Sequence, residues 1–260
     1  MQTIRWADLM WRLVLRDLYK RLKYPEYRSS TTNIKMSRFD LYIKAGKDGK
    51  CVGDCPFSQR VNLFTHFKCP ESTCCIKTVN VLEKTPEFLQ LNPEGKVPVL
   101  VDKETDKVIT DSKDINVYIN NLFPQPDMKI DYDGPAVAAT NGIFGKMAAL
   151  LKNSDASAIP ALREELTAEL QKFEDYLKKR ENKTKFLIDD KMMEIDCQLL
   201  PKLHHLQVAG KYFQKYEIPQ EYSNVWNYIK NGESTVEWKD TVCKNEDIIS
   251  GWSRHNIVKV

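Results

Sequence analysis

Cys55-Pro56-Phe57-Ser58-Gln59-Arg60 is the stretch that decides how this chain folds. Upstream of it, Phe39, Leu41 and Ile43 nearly alternate with polar neighbours, which predicts a strand over 39–45. Residues 46–54 are polar and carry glycines, which predicts a loop. Downstream, Val61, Leu63, Phe64 and Phe67 recur at roughly helical spacing. This order places Cys55 at the N-terminus of a helix. The partial positive charge there stabilises a thiolate and lowers the thiol pKa. Pro56 suits a first helical turn, where its missing N–H costs nothing. Ser58 stands where a dithiol redox enzyme carries its second cysteine. The motif therefore holds one sulfur, and a resolving thiol must come from elsewhere.

The chain has 260 residues, enough for one large domain or two small ones, and 42% hydrophobic residues supply a core. Seven cysteines in a long chain, an odd number, do not read as a disulfide framework. With no secretory signal in view, a reducing compartment and a cytoplasmic location are expected. No uncharged apolar window of about 18 residues suggests a membrane span. Residues 1–37 carry eight Lys/Arg against Asp8, Asp17 and Glu26, and the remaining 223 residues have 31 basic and 33 acidic side chains. The basicity belongs to this extension, and the body has no charge excess of the kind that binds nucleic acid. Within it, 1–26 reads as an amphipathic helix followed by a polar linker. A mitochondrial or plastid targeting segment is one reading, which Asp8 and Asp17 count against; a dispensable extension is the other.

Downstream, strands are expected at 75–81, 96–101 and 107–109, and helices at 86–91 and from Asp111 to Pro124. This order, with a cysteine opening the first helix, is a thioredoxin-like layout. Pro98 sits in an apolar strand, where proline is normally excluded, and a cis Val97–Pro98 bond resolves the conflict. Asp111 and Ser112 are both good N-cap residues. Three prolines within 123–135 mark a linker between domains. Beyond it, helical spacing covers 136–151, 160–180, 195–216, 219–230 and 236–243. The domains expected are the extension 1–37, a thioredoxin-like domain 38–124 and an all-helical domain 125–260.

Six strings carry a resemblance: Gly53-Asp54-Cys55-Pro56-Phe57-Ser58-Gln59-Arg60-Val61, Asn92-Pro93-Glu94-Gly95-Lys96-Val97-Pro98-Val99, Thr110-Asp111-Ser112, Asn141-Gly142-Ile143-Phe144-Gly145, Leu200-Pro201-Lys202-Leu203-His204-His205-Leu206-Gln207-Val208-Ala209 and Ile249-Ser250-Gly251-Trp252. By these the chain resembles the glutathione transferase superfamily, and within it the plant-type dehydroascorbate reductases. It is also similar to the chloride intracellular channel proteins, which share Cys-Pro-Phe-Ser. One departure is Met193, where the reductases open a helix with a small hydroxyl residue. A methionine there cannot accept the cap hydrogen bond, a loss of about 0.5–2 kcal/mol.

The resemblance implies an α/β thioredoxin-like domain followed by an all-α domain, in a monomer. It implies glutathione-dependent reduction of dehydroascorbate, with Cys55 as nucleophile and glutathione supplying the second thiol, and no metal. Glutathione would be held by Lys44, Asp54, Lys84, Val97, Pro98, Asp111 and Ser112. The second substrate would meet Lys44, Asp54, His205 and Trp252. Asp54 beside a thiolate would raise its pKa, so it reads as a hydrogen-bond acceptor for substrate rather than an activator. The histidines and cysteines show no zinc-ligand spacing. Cys51–Cys55 and the neighbouring pair Cys74 and Cys75 leave redox pairing open. The alternative function is a membrane-associating, channel-like protein with glutaredoxin-like activity. His66, Lys68, Glu71 and Lys77 in its inserting segment would be costly in hydrocarbon.

Overall fold

Alternation drives the first strand into the interior. β1, Phe39–Lys44, leaves Phe39, Leu41 and Ile43 without solvent contact. In a computed structural model, residues 37–255 and 257 are described. The amphipathic reading of 1–26 and the linker after it lie outside them. With β2 (Cys74–Val79), β3 (Val99–Asp102) and β4 (Lys107–Ile109), β1 forms a four-stranded sheet of order β2-β1-β3-β4. β1 runs parallel to β2 and antiparallel to β3, and β3 is antiparallel to β4. The ladder on β3 starts at Val99 rather than at the predicted residue 96, since Pro98 has no N–H to give it. The Val97–Pro98 bond is cis, as the sequence predicts, and Gln125–Pro126 is a second cis bond that was not predicted.

Three helices accompany the sheet: α1 (Pro56–Lys68), α2 (Pro86–Leu91) and α3 (Ser112–Leu122). Each has a side-chain cap, from Cys55, Thr85 and Asp111 respectively. The helical remainder is α4 (Pro135–Ala138), α5 (Asn141–Lys152), α6 (Ile159–Lys179), α7 (Glu194–His205), α8 (Lys211–Gln214), α9 (Ser223–Glu233), α10 (Val236–Thr241) and α11 (Asn245–Trp252). The helix predicted over 136–151 is broken at Thr140, whose hydroxyl donates to Ala136 O at 2.8 Å in place of a continuing turn. The helix predicted over 195–216 runs through a π-helical turn, Leu206–Gly210, into α8. It stops where Lys215 turns left-handed. α11 was not predicted. Among the described residues no helix is long and apolar enough to cross a membrane.

One apolar core joins sheet and helices, from Phe39 and Leu100 to Leu203 and Trp252. Within it α1 packs against α3 and α7. Arg60 on α1 pairs with Glu194 at the start of α7 at 2.7 Å, both side chains being buried. Asn116 of α3 donates to the same carboxylate at 3.2 Å. The start of α7 is also fixed by Asp196, which is fully buried. Its carboxylate accepts the Met193 N–H at 2.8 Å, the Leu187 N–H at 3.1 Å and the Tyr228 hydroxyl at 3.0 Å. The Met193 N–H bond is the reciprocal arm of a cap that the methionine side chain was expected to weaken. Burial pushes the Asp196 carboxyl up to about 6, against these three bonds, which favour the ionised form. Substituting Asp196→Ala strands three donors and should cost about 3 kcal/mol, a fall of roughly 6–12 °C in Tm by calorimetry.

The other end of α7 is tied to α11. Trp252 Nε1–H donates to His205 Nδ1 at 2.9 Å, and both side chains are buried. Burial, with His204 and Lys44 adding to it, pushes the His205 imidazole down to about 3. Burial pushes His204 down to about 4. Unfolded histidine binds its proton near pH 6.5. Below that pH the unfolded chain takes up protons that the folded chain refuses, so stability is full above about pH 6.5 and falls on acidification. The slope is about 1.4 kcal/mol per pH unit for each histidine. Asp196 acts in the opposite sense between about pH 6 and pH 4, so the comparison with a variant carries the test. His205→Asn keeps an acceptor for Trp252. Its urea-unfolding free energy should fall less steeply than that of the wild type between pH 6.5 and pH 5, and equal slopes would refute the assignment.

Candidate functional site

Cys55 is the N-cap of α1, in extended backbone at φ −81° and ψ 112°. Its Sγ accepts the Ser58 N–H at 3.4 Å. A thiolate at this point receives that N–H and the positive end of a 13-residue helix. The sulfur is half-exposed, unlike the fully buried Cys197. It lies 4.0 Å from Val97 O. Val97 thus presents its carbonyl to the Cys55 sulfur, in the turn that holds Pro98. Ser58, in the second-cysteine position, is buried, and its hydroxyl accepts the Lys44 N–H at 3.4 Å. It ties the end of β1 to the first turn of α1.

Lys44 and Asp54 come together: Nζ and Oδ1 are 2.8 Å apart, with side chains 16% and 10% exposed. The β1–α1 loop that carries them is held by the last helix. Asp247 of α11 accepts the Lys47 N–H at 2.8 Å. Gly251 of α11 lies so close to Asp54 that a Cβ there would stand 1.7 Å from Asp54 Oδ2. Only glycine allows this approach. His205 and Trp252, expected to touch substrate, are buried against each other beneath this loop. With Nδ1 accepting from Trp252, the ring proton of a neutral His205 resides on Nε2. That nitrogen finds no hydrogen bond of good geometry.

Lys84 lies over Gly95, where its Nζ would stand 2.7 Å from a Cβ. Gly95 is left-handed, with φ +64°, in the turn leading to Val97. Asp111 is exposed and caps α3 through Oδ1, which accepts from Lys113 N at 2.8 Å and Asp114 N at 3.1 Å. Oδ2 takes neither cap bond, and Ser112 is buried beside it. Among the described residues no hydrogen bond or ion pair joins Lys84, Asp111 or Ser112 to Cys55. Lys84 lies in the loop before α2, and Asp111 and Ser112 lie at the start of α3.

Two groups escaped the sequence reading. One is Gly251, whose signal would have been a glycine interrupting the apolar end of a short helix. The other is Lys202, a lysine inside an apolar run. All seven cysteines are free. Burial pushes Cys69 and Cys243 up to about 12 and Cys74 higher still. The hydrogen bond to Asp48 raises Cys51. No three His, Cys, Asp or Glu side chains are gathered to hold a metal ion among the described residues. Two surface cavities of about 440 and 500 Å³ lie elsewhere, against Arg163 and Tyr216 and against His204 and Val208.

Comparison with known proteins places this geometry. The models of the glutathione S-transferase N-terminal and C-terminal domains match residues 54–122 and 156–231. Glutathione S-transferase DHAR2 of Arabidopsis thaliana is 34% identical over 215 residues, 82% of this chain and 96% of the relative. The probable glutathione S-transferase DHAR2, chloroplastic, of Oryza sativa subsp. japonica is 31% identical over 77% of this chain and 70% of its own length. The crystal structure of Chlamydomonas reinhardtii dehydroascorbate reductase superposes with a TM-score of 0.75 and 26% identity, covering 86% of this chain and 100% of that one. The CLIC homologue EXC-4 of C. elegans shares the fold at a TM-score of 0.72 and 21% identity, over 85% and 88% of the two chains. With both domain models matched in order, and a relative 34% identical along nearly its whole length, the chain belongs to the glutathione S-transferase family.

Proposed function

We propose that this protein is a glutathione-dependent dehydroascorbate reductase that works through Cys55. The observation that carries the reading is a single sulfur at a helix N-terminus, 4.0 Å from the Val97 carbonyl of the cis-proline turn. The relatives named for dehydroascorbate reductase, or bearing the abbreviated name, support the substrate.

Glutathione is bound along the turn. Val97 offers its backbone N–H and C=O to the cysteinyl moiety. Asp111 and Ser112, at the N-terminus of α3, take the γ-glutamyl amine and carboxylate. Lys84 takes the glycyl carboxylate. Cys55 thiolate attacks an electron-poor carbonyl carbon of dehydroascorbate and forms a C–S bond with an alkoxide beside it. The thiolate of glutathione then attacks Cys55 sulfur. An S–S bond forms, the C–S bond breaks, and its electron pair stays on the former diketone, which leaves as ascorbate after taking one proton. A second glutathione thiolate attacks the glutathionyl sulfur, releases oxidised glutathione and restores the Cys55 thiolate. Two electrons pass from two glutathiones to one diketone.

Lys44 and Asp54 flank the second substrate, Lys44 facing developing negative charge and Asp54 accepting from a hydroxyl. His205 and Trp252, buried below, hold the loop and not the substrate.

Cys55→Ser should lower glutathione-dependent ascorbate formation by at least about a thousandfold. The wild type treated with oxidised glutathione should gain the mass of one glutathionyl group on Cys55 by peptide mapping; a label on another cysteine would overturn the assignment. Gly251→Ala pushes the Asp54 carboxylate off Lys44. Its kcat/KM for dehydroascorbate should fall about tenfold while the KM for glutathione stays unchanged in steady-state kinetics.

A further inference from the structure

The cations near Cys55 are not equally compensated. Lys44 is paired with Asp54 and Arg60 with Glu194. Lys202, on α7, has no carboxylate within ion-pair distance among the described residues. It is half-buried, and its Nζ sits 5.6 Å from the centroid of the Phe144 ring. An ammonium over a ring face is attracted by the ring quadrupole, and more strongly when it is out of water. This attraction replaces only part of the hydration that a lysine loses on burial, and an anion would complete it.

Three observations relate this ammonium to the first two turns of the Cys helix. Phe144 meets Phe57 edge to face at 5.5 Å, and Phe57 is two residues after Cys55 and 40% exposed. Arg60, five residues after Cys55, is close enough to repel the Lys202 charge. His205, three residues after Lys202 and so on the same face of α7, lies under the Asp54 loop. Lys202 and Phe144 thus lie where the helical half meets the Cys helix at Phe57, and the second substrate is placed in the space there as part of the proposal. Phe57 and Phe144 form its apolar wall.

We propose that Lys202 is a substrate-binding residue whose ammonium takes the ene-diolate oxygens that form as the bound diketone gains two electrons. The proposal rests on the reaction given above. Dehydroascorbate is neutral and its reduced product is an anion, so a bare cation favours the state reached on electron transfer over the ground state. When the C–S bond to Cys55 breaks, its electron pair spreads onto two adjacent ring oxygens. Lys202 meets that charge without first breaking an ion pair. Burial, together with Arg60, pushes the Lys202 ammonium down to about 8, and it remains charged at neutral pH.

Lys202→Met keeps length and apolar contact with Phe144 while removing the charge, and Lys202→Arg keeps the charge. Both are compared with wild type on two oxidants that use Cys55 and glutathione alike: dehydroascorbate, and the neutral disulfide of mercaptoethanol. The ratio of the two kcat/KM values should fall about 10- to 100-fold in Lys202→Met and return to within about threefold of wild type in Lys202→Arg. In equilibrium dialysis, ascorbate should bind Lys202→Met at least about tenfold more weakly than wild type. An unchanged ratio, or equal loss on both oxidants, overturns the proposal, since a structural role would move both alike. A wild type that reduces the disulfide but not dehydroascorbate overturns the parent reading instead, and the proposal falls with it.

Discussion

The pairing of Arg60 with Glu194 fixes the angle at which the Cys helix meets the helical half of the molecule. Both groups are out of water, so their attraction is little screened, and removal of either leaves a buried charge at a cost of about 3–5 kcal/mol. Asn116 adds a third element to the same carboxylate. α1, α3 and the start of α7 therefore come to one point. Because α7 is anchored there, one face of it, bearing Lys202 and His205, lies along the turns of α1 that follow Cys55. Cys55 comes from the sheet half and the residues packed on its helix come from the helical half, and a buried ion pair holds them in register.

At the far end of α7 the same work falls to α11. Its three attachments act on one loop: Asp247 takes a backbone N–H of Lys47, Gly251 admits the Asp54 carboxylate, and Trp252 bonds His205. Each attachment is short-ranged and depends on shape. Glycine inside a helix is about 1 kcal/mol worse than alanine for helix stability. Its presence at 251 trades that loss for the seat of a carboxylate 2.8 Å from Lys44. The C-terminal helix thus shapes the loop that carries Asp54.

Much of the frame was legible in the sequence because it is written in local chemistry. The strand over Phe39, Leu41 and Ile43 follows from alternation, and the α1 start from a cysteine and proline between a loop and an apolar helix. Pro98 in an apolar strand announced its cis bond by the conflict itself. Helix α2 was read with its observed bounds because Pro86 opens it at a capped turn. What stayed hidden depends on distant partners. The π-helical turn after His205 and the break at Thr140 are settled by packing, which periodicity does not carry. α11 is eight residues with few apolar positions, and its glycine reads locally as a breaker. Lys202 looks like any solvated lysine until Phe144, 58 positions earlier, is seen beneath it. His205 is expected against the second substrate on the resemblance alone. Its burial against Trp252 gives it a supporting place under the loop that carries Asp54 rather than an open face.

The sulfur chemistry follows from a similar contrast of environments. Burial holds the thiols of Cys69, Cys74, Cys197 and Cys243 protonated, and a hydrogen bond to Asp48 does so for Cys51. Cys75 is exposed on β2, an edge strand, with no helix behind it. Cys55, half-buried, combines the N-cap of a helix, the Ser58 N–H on its sulfur and the Val97 carbonyl 4.0 Å away. A second thiol next to it would close an internal disulfide and make the chain itself the reductant. Here Ser58 holds that position, and its hydroxyl accepts the Lys44 N–H.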